Sequence, residues 1–222
     1  MAATAVRYLR SVSAASVGTG SMSTGSVSAA ATDAGTPSAP YEAHPRPELR
    51  AVRQDERPPL DPGEFRRVLG HFATGVTVVT AHDDDGPAGF ACQSFSSLSL
   101  DPPLIAFMVG RTSTTWPRIA RAGSFCVNVL DEEQGELCRG FAVSGADKFA
   151  GVTHRPAPVS GAPLLTGVTA WVDCAVHAVH TGGDHLIVVG RVTALGADGD
   201  GDPLVFHRGR FRRLEKDGAA PS

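Results

Sequence analysis

The segment ACQSFSSLSLDPPL, from Ala91 to Leu104, carries the most information about the fold of this chain. It places four serines close together, directly ahead of two consecutive prolines. Serine hydroxyls compete with the backbone for hydrogen bonds, and proline cannot donate to a β-ladder. We therefore predict an irregular backbone from Cys92 to Leu100, whose unpaired N–H groups and hydroxyls surround a ligand. A plain serine-rich loop is the alternative.

Strand patterns surround this segment. The run ATGVTVVTAH precedes it, a DDDG turn follows at Asp83 to Gly86, and PAGFACQSF returns from that turn. Further strand patterns are LIAFMV (104–109), SFCVNVL (124–130), VTAWVDCAVHAVH (168–180), HLIVVGRVTAL (185–195) and PLVFH (203–207). Many β-branched runs at hairpin-like spacing predict a mainly β, closed or nearly closed antiparallel barrel and disfavour a doubly wound sheet.

Helical patterns are few. DPGEFRRVLGHF begins with Asp61 as a candidate N-cap and proline at the first helical position, which predicts a short amphipathic helix. Its apolar face would carry Phe65, Val68, Leu69 and Phe72. Two more short helices are predicted at 116–122 and 131–141.

A second hydroxyl cluster follows the strand pattern at 104–109. In RTSTTWPRIA, Thr114 or Thr115 stands at the N-cap position and Pro117 in the first helical turn. The positive end of a helix would then lie beside Arg111 and Ser113, an arrangement that suits a phosphate. A plain capped helix is the alternative.

Taken in order, these motifs resemble the flavin reductase-like family. The resemblance rests on GFACQSFSSLSLDPPLI, RTSTTWPRI, FCVNVL, LCRGFA, DKFAGV, GDHLIVVGRV and PLVFHRGRFRRL, and runs from about Asp61 to Leu214. It implies a six-stranded antiparallel FMN-binding split barrel, usually a homodimer. It also implies an NADH- or NADPH-dependent reductase of FMN or FAD that supplies reduced flavin to a flavin-dependent monooxygenase.

The resemblance also assigns roles to residues. It places the flavin ring against the backbone of Ala91, Cys92 and Gln93, and the ribityl phosphate near Ser94, Ser96 and Ser97. It adds Arg111, Ser113 and Thr114 as phosphate contacts, with Trp116 close by. His185 of the GDH element corresponds to the family histidine beside the nicotinamide. Cys92 and Gln93 depart from the small residues that are usual in the family, so the choice between FMN and FAD stays open.

Composition limits the other functions. The chain has 222 residues, 42% of them hydrophobic, and a formal net charge of -3 without a concentrated basic face, which argues against a nucleic-acid binder. No apolar run suits a membrane span or a secretory signal. Four widely spaced cysteines predict reduced, buried thiols in a cytoplasmic protein. The sequence contains no metal-binding or nucleophile motif, so no metal site is expected.

The domain boundaries follow from composition. Residues 1–59 are rich in Ala, Ser and Gly and then in charge and proline, which predicts a disordered tail and linker. Either an organellar transit peptide or an over-long start would explain the tail. Residues 60–214 form the expected domain, and 215–222 a second tail. Two other functions stay open: a split-barrel oxidoreductase that keeps its flavin and oxidises its own substrate, and a non-catalytic flavin-storage protein.

Overall fold

The computed structural model describes residues 60–143, 145, 147–197 and 201–215. The predicted tails at 1–59 and, apart from Glu215, at 215–222 lie outside these residues. Within them the helices are α1 (Pro62–Leu69), α2 (Trp116–Ala122) and α3 (Gly135–Ala142). The strands are β1 (Thr74–Gly75), β2 (Thr77–Asp83), β3 (Gly86–Cys92), β4 (Ser96–Leu100), β5 (Pro103–Gly110), β6 (Ser124–Val129), β7 (His154–Pro156), β8 (Pro163–Leu165), β9 (Ala170–Gly182), β10 (His185–Ala197), β11 (Val205–His207) and β12 (Arg210–Arg212).

A seven-stranded antiparallel sheet dominates the described part of the chain. Its strand order is β3-β2-β6-β9-β10-β5-β4, so the chain that follows β3 at one edge leads directly into β4 at the other. The long β9–β10 hairpin and the β10–β5 ladder occupy its centre, and His185 is the ladder partner of Gly110. Small sheets of β1-β11-β12 and β7-β8 complete the fold. The predicted mainly β antiparallel architecture is confirmed.

The serine run differs from the expectation. We predicted an irregular backbone from Cys92 to Leu100, but Ser96–Leu100 forms strand β4, paired with β5 through Ser96↔Ala106 and Ser97↔Ile105. The prediction was wrong for these residues because β5 offers an open edge on which even a serine-rich segment can complete a ladder. The backbone is irregular at the three residues between β3 and β4, and the register shifts again within β4, between Ser97 and Ser99.

Helix α1 begins as predicted, and its apolar face is exposed. Asp61 caps the helix by accepting a 2.7 Å hydrogen bond from the Glu64 amide. Phe65, Val68 and Leu69 are 52%, 51% and 55% exposed, so they are not covered by the described residues. Helix α1 therefore presents an apolar stripe at the surface of the chain.

The buried core lies in two clusters. One surrounds Phe107 and Phe125, whose rings meet edge to face at 5.3 Å, and the other contains Phe141 and Trp171. Between strands, fully buried Asn128 accepts a 2.8 Å hydrogen bond from Leu165 N–H and donates to Val78 C=O and Pro163 C=O. These bonds satisfy the amide and attach the β7–β8 segment to the main sheet.

Two local predictions need adjustment. Helix α3 starts at Gly135 rather than at Asp131, because the Asp131 carboxylate accepts a 2.9 Å hydrogen bond from Glu133 N–H and closes a turn. Strands β7, β8 and β12, each of three residues, were not predicted, because they are too short to show a period. None of the helices among the described residues has the length and apolar character needed to cross a membrane.

Candidate functional site

An open cavity of about 810 Å³ lies where several elements converge. The end of β3 and the residues after it, the end of β5 and the start of β10 form part of its lining. Helix α3 and the β11–β12 hairpin also line it, and we refer to their part of the lining as the far end. The volume is within the range of roughly 300–1,000 Å³ that is typical of cofactor and small-molecule sites.

The last two residues of β3, Ala91 and Cys92, and the next two, Gln93 and Ser94, line the cavity together. The Thr77 hydroxyl donates a 2.9 Å hydrogen bond to Cys92 C=O and fixes the end of β3. The Ser94 hydroxyl donates to Met108 C=O at 3.0 Å and accepts from Met108 N–H at 2.9 Å. Burial raises the pKa of the Cys92 thiol, which lies 3.3 Å from Ser94 Oγ and stays protonated at neutral pH.

His185 faces the cavity from the first residue of β10. Its Nδ1 lies 2.7 Å from Asp184 Oδ1, and this bond lowers the pKa of the Asp184 carboxyl. A carboxylate at Nδ1 favours the proton on that nitrogen, which leaves Nε2 as an acceptor in the neutral ring. Opposite, a Cβ on Gly110 would lie 4.0 Å from Nε2, so the glycine leaves the ring accessible.

The start of helix α2 reaches the cavity through Ser113. The N-cap residue is Thr115, as one of the two predicted positions, but its side chain makes no capping bond. Ser113 Oγ accepts the 3.2 Å hydrogen bond from Trp116 N–H instead. The Trp116 ring packs edge to face on Phe107 at 6.4 Å, so it belongs to the core beside the cavity.

An ion-pair network positions α2. The Arg118 guanidinium donates to both oxygens of nearly buried Asp83 and also to Gly86 C=O at 2.9 Å. Arg121 adds a 3.0 Å bond to the same carboxylate. Arg118 is the main reason that the pKa of Asp83 is held well below its usual range. The helix is thereby fixed to the β2–β3 hairpin.

The far end of the cavity was not found from the sequence. It is lined by Arg139 of α3 and by Phe206, Arg210 and Phe211 of the β11–β12 hairpin. The Arg139 guanidinium lies 5.1 Å from the centre of the Phe211 ring and also pairs with Glu136. The signal was present in FHRGRF and LCRG, where arginines alternate with aromatic or small residues.

The structure brings only part of the predicted set together. The cavity is lined by Ala91, Cys92, Gln93, Ser94, Ser113 and His185. The residues that do not line it are Ser96 and Ser97 on the exposed edge strand, Arg111, Thr114 and Trp116. The prediction of buried, unpaired thiols is confirmed for all four cysteines, of which Cys92 and Cys138 line the cavity.

The lining suits a flavin. Apolar groups from Phe90, Ala91 and Met108 offer a surface for a flat heterocycle, and polar groups at the rim can hold an anionic chain. Arg139 and Arg210 add positive charge at the far end. Among the residues that the structure describes, no three His, Cys, Asp or Glu side chains are grouped so as to hold a metal ion.

An antiparallel β fold whose cavity combines apolar groups with two arginines is suited to binding a flavin. The family model described as flavin reductase like domain matches residues 69–215, which is more than half of the chain. The chain therefore belongs to the flavin reductase-like family, as the motifs predicted.

Sequence relatives agree with this assignment. Over 163 residues the chain is 48% identical to the reductase subunit HsaB of a flavin-dependent monooxygenase from Rhodococcus jostii, covering 73% of this chain and 83% of the relative. It is also 48% identical to a flavin reductase of Pseudomonas putida, over 70% of this chain and 91% of the relative. A 39% identical relative from Streptomyces globisporus is an NADH-dependent FAD reductase.

Solved structures give the same result. A nitrilotriacetate monooxygenase component B homologue from Mycobacterium thermoresistibile matches with a TM-score of 0.68 and 44% identity, over 72% of this chain and 90% of its own. The NADH:FAD oxidoreductase of Streptomyces globisporus, solved with NAD and FAD fragments, matches with a TM-score of 0.68 and 37% identity, over 73% and 100% of the two chains. These relatives support the predicted flavin reductase activity and its cofactors over the two alternatives.

Proposed function

We propose that the chain is an NAD(P)H-dependent flavin reductase that reduces FMN or FAD and passes the reduced flavin to a partner monooxygenase. The observation that carries this proposal is one cavity lined by residues 91–94, Ser113 and His185. These residues lie far apart in the sequence, and the motifs that contain them predict a flavin or nicotinamide contact for each.

The proposed roles follow the lining. The flavin ring lies against the backbone of Ala91, Cys92 and Gln93, and His185 contacts the nicotinamide through its free nitrogen. Ser113 lies at the polar rim, where the ribityl chain would leave the ring. We keep the remaining predicted contacts, Ser96, Ser97, Arg111, Thr114 and Trp116, as proposals for the part of the flavin that projects out of the cavity.

Hydride transfer from a nicotinamide to a flavin needs no acid, base or nucleophile from the protein. When bound, the flavin accepts a hydride directly from the nicotinamide, so the protein supplies geometry and a dry surface. His185 has no proton to move in this step. Its carboxylate partner Asp184 holds the ring in one orientation and one tautomer, so the contribution of His185 is to position the nicotinamide amide.

The far end of the cavity fits the nucleotide part of a dinucleotide. Arg139 and Arg210 can pair with phosphates, and the rings of Phe206 and Phe211 offer stacking surfaces for a purine. Phe206 and Phe211 themselves meet at 5.6 Å with an angle of 70° between the rings. We propose that this end receives the adenosine diphosphate part of NAD(P)H or FAD.

A steady-state assay of NADH oxidation tests the function. A reductase consumes NADH in proportion to added free FMN or FAD until the flavin saturates. Oxidation that is independent of added flavin would instead indicate an oxidoreductase that retains its flavin. Tight flavin binding without any NADH oxidation would indicate a storage protein. The last two results each contradict the proposal.

We also propose that the protein is a homodimer in which a partner copy completes each cavity. The open side of the cavity and the exposed apolar stripe of α1 support this proposal. The exposed side chains of Leu98, Leu100 and Met108 on β4 and β5 add to it. Sedimentation equilibrium should give twice the chain mass, and Leu69→Lys should lower that mass to one chain. A fully active wild-type monomer would contradict this proposal.

The proposal also includes a partner protein and a cellular compartment. Relatives are reductase components of monooxygenases, and one structural neighbour is the reductase component of a tryptophan halogenase. We propose a transient partnership with a flavin-dependent monooxygenase component, which takes up the reduced flavin. The four unpaired buried thiols favour the cytoplasm. Fractionation and co-purification with the oxygenase would test the two statements.

A further inference from the structure

Neighbouring protein groups occupy the hydrogen-bonding positions of the Ser94 hydroxyl, so none is left for a ligand. It donates its proton to Met108 C=O at 3.0 Å and accepts from Met108 N–H at 2.9 Å. Its remaining lone pair can accept from the Cys92 thiol, whose Sγ lies 3.3 Å away and which is protonated because burial raises its pKa. A serine hydroxyl has one donor and two acceptor positions, so its hydrogen-bonding capacity is full.

The position of Ser94 in the sheet explains this arrangement. Ser96 pairs with Ala106 in the β4–β5 ladder, which ends there. Continuing the same register by two residues on each strand would place Ser94 opposite Met108, and the two hydrogen bonds of the Ser94 hydroxyl join these residues. The next rung of the ladder would ordinarily join the backbones of these two residues. Here the N–H and C=O groups of Met108 are instead hydrogen-bonded to the Ser94 hydroxyl. The hydroxyl therefore takes the place of the backbone groups of Ser94 in this pair.

This replacement has a consequence for the cavity. Backbone–backbone hydrogen bonds would bring the residues after β3 close to β5. Hydrogen bonds through the Ser94 side chain keep the backbone of these residues further from β5. Residues 91–94, at the end of β3 and directly after it, line the cavity, and so does Met108 of β5. The hydroxyl thus connects two parts of the lining at a fixed separation.

We infer that Ser94 is a positioning residue that sets the width of the flavin site by bridging β3 to β5 through Met108, and that it does not bind the flavin phosphate. This inference rests on the proposed flavin site and changes one of its assignments, since the resemblance places Ser94 near the ribityl phosphate. The two roles predict different effects of Ser94 on the affinities for FMN and riboflavin. A phosphate contact distinguishes FMN from riboflavin, and a bridge affects both alike.

Flavin titrations separate the two roles. We expect Ser94→Ala to weaken FMN and riboflavin by the same factor, about tenfold, because the loss of the bridge misplaces the wall for the ring. Ser94→Thr, which keeps a hydroxyl, should restore most of the affinity for both. Ser124→Ala, at the start of β6 and outside the cavity, is the matched control and should bind both flavins as the wild type does.

A second measurement needs no flavin. In the free protein, hydrogen exchange of the Met108 amide should become about tenfold faster in Ser94→Ala and stay near the wild-type rate in Ser94→Thr. Wild-type protein that binds neither flavin would contradict the proposed function and leave this exchange test intact. Loss of affinity for FMN alone, unchanged affinity for both flavins, or unchanged Met108 exchange in Ser94→Ala would overturn the inference.

Discussion

Replacing His185 with alanine should affect the nicotinamide far more than the flavin. The ring is about half exposed, at 49%, and its one described hydrogen bond goes to Asp184, so its removal should change the free energy of unfolding by less than about 0.5 kcal/mol. The lost contact to the nicotinamide is a single hydrogen bond from an oriented ring. We estimate about 1.4 to 2.7 kcal/mol of lost transition-state stabilisation, which corresponds to about tenfold to a hundredfold in kcat/KM for NADH.

Steady-state kinetics with varied NADH and saturating flavin would measure this effect. The KM for NADH should rise, and the Kd for FMN from fluorescence quenching should change by less than about threefold. His180→Ala is a matched control, since His180 is exposed on β9 and lies outside the cavity lining. Unchanged kcat/KM in His185→Ala, or complete loss of FMN binding, would refute the positional role of this histidine.

Three further predictions concern stability and domain limits. A Cβ on Gly190 would lie 2.5 Å from Phe125 Cζ, so Gly190→Ala should lower the free energy of unfolding by about 1–3 kcal/mol in urea denaturation, and an unchanged midpoint would contradict the core packing. Because Arg118 depresses the pKa of Asp83, the carboxylate stabilises the fold above its unfolded pKa of about 4, and this stabilisation is lost as pH falls through the folded value. Melting temperature should therefore fall less between pH 5 and pH 2 in Asp83→Asn than in the wild type, and parallel curves would argue against the ion pair. A chain that begins at Leu60 should keep wild-type reductase activity, since both core clusters and the cavity lie after it; loss of most activity would show a role for the preceding residues.

Local chemistry made the regular elements predictable. Asp61 and the proline after it mark the start of α1, and the DDDG turn is the hairpin between β2 and β3, because both signals act within four residues. The β-branched runs of β9 and β10 were found for the same reason. The serine-rich β4 was missed because its strand conformation depends on the open edge of β5, which is not a local property.

The site was only partly predictable. The stretch at 91–94 and His185 were found because each belongs to a motif, and the sheet order then brings them together at one cavity. Arg139 and Phe211 were missed, since their contact joins a helix to a hairpin about seventy residues later in the chain. The role of Ser94 was also missed, because a serine pattern does not show whether the hydroxyl faces a ligand or a neighbouring strand.

A crystal structure of the protein with FMN and NAD⁺ bound would test the central claim most directly. We expect the flavin ring to lie against the backbone at 91–93 and the nicotinamide within hydrogen-bond distance of His185, both inside the cavity of about 810 Å³. Flavin bound on another face of the barrel, or a nicotinamide remote from His185, would contradict it.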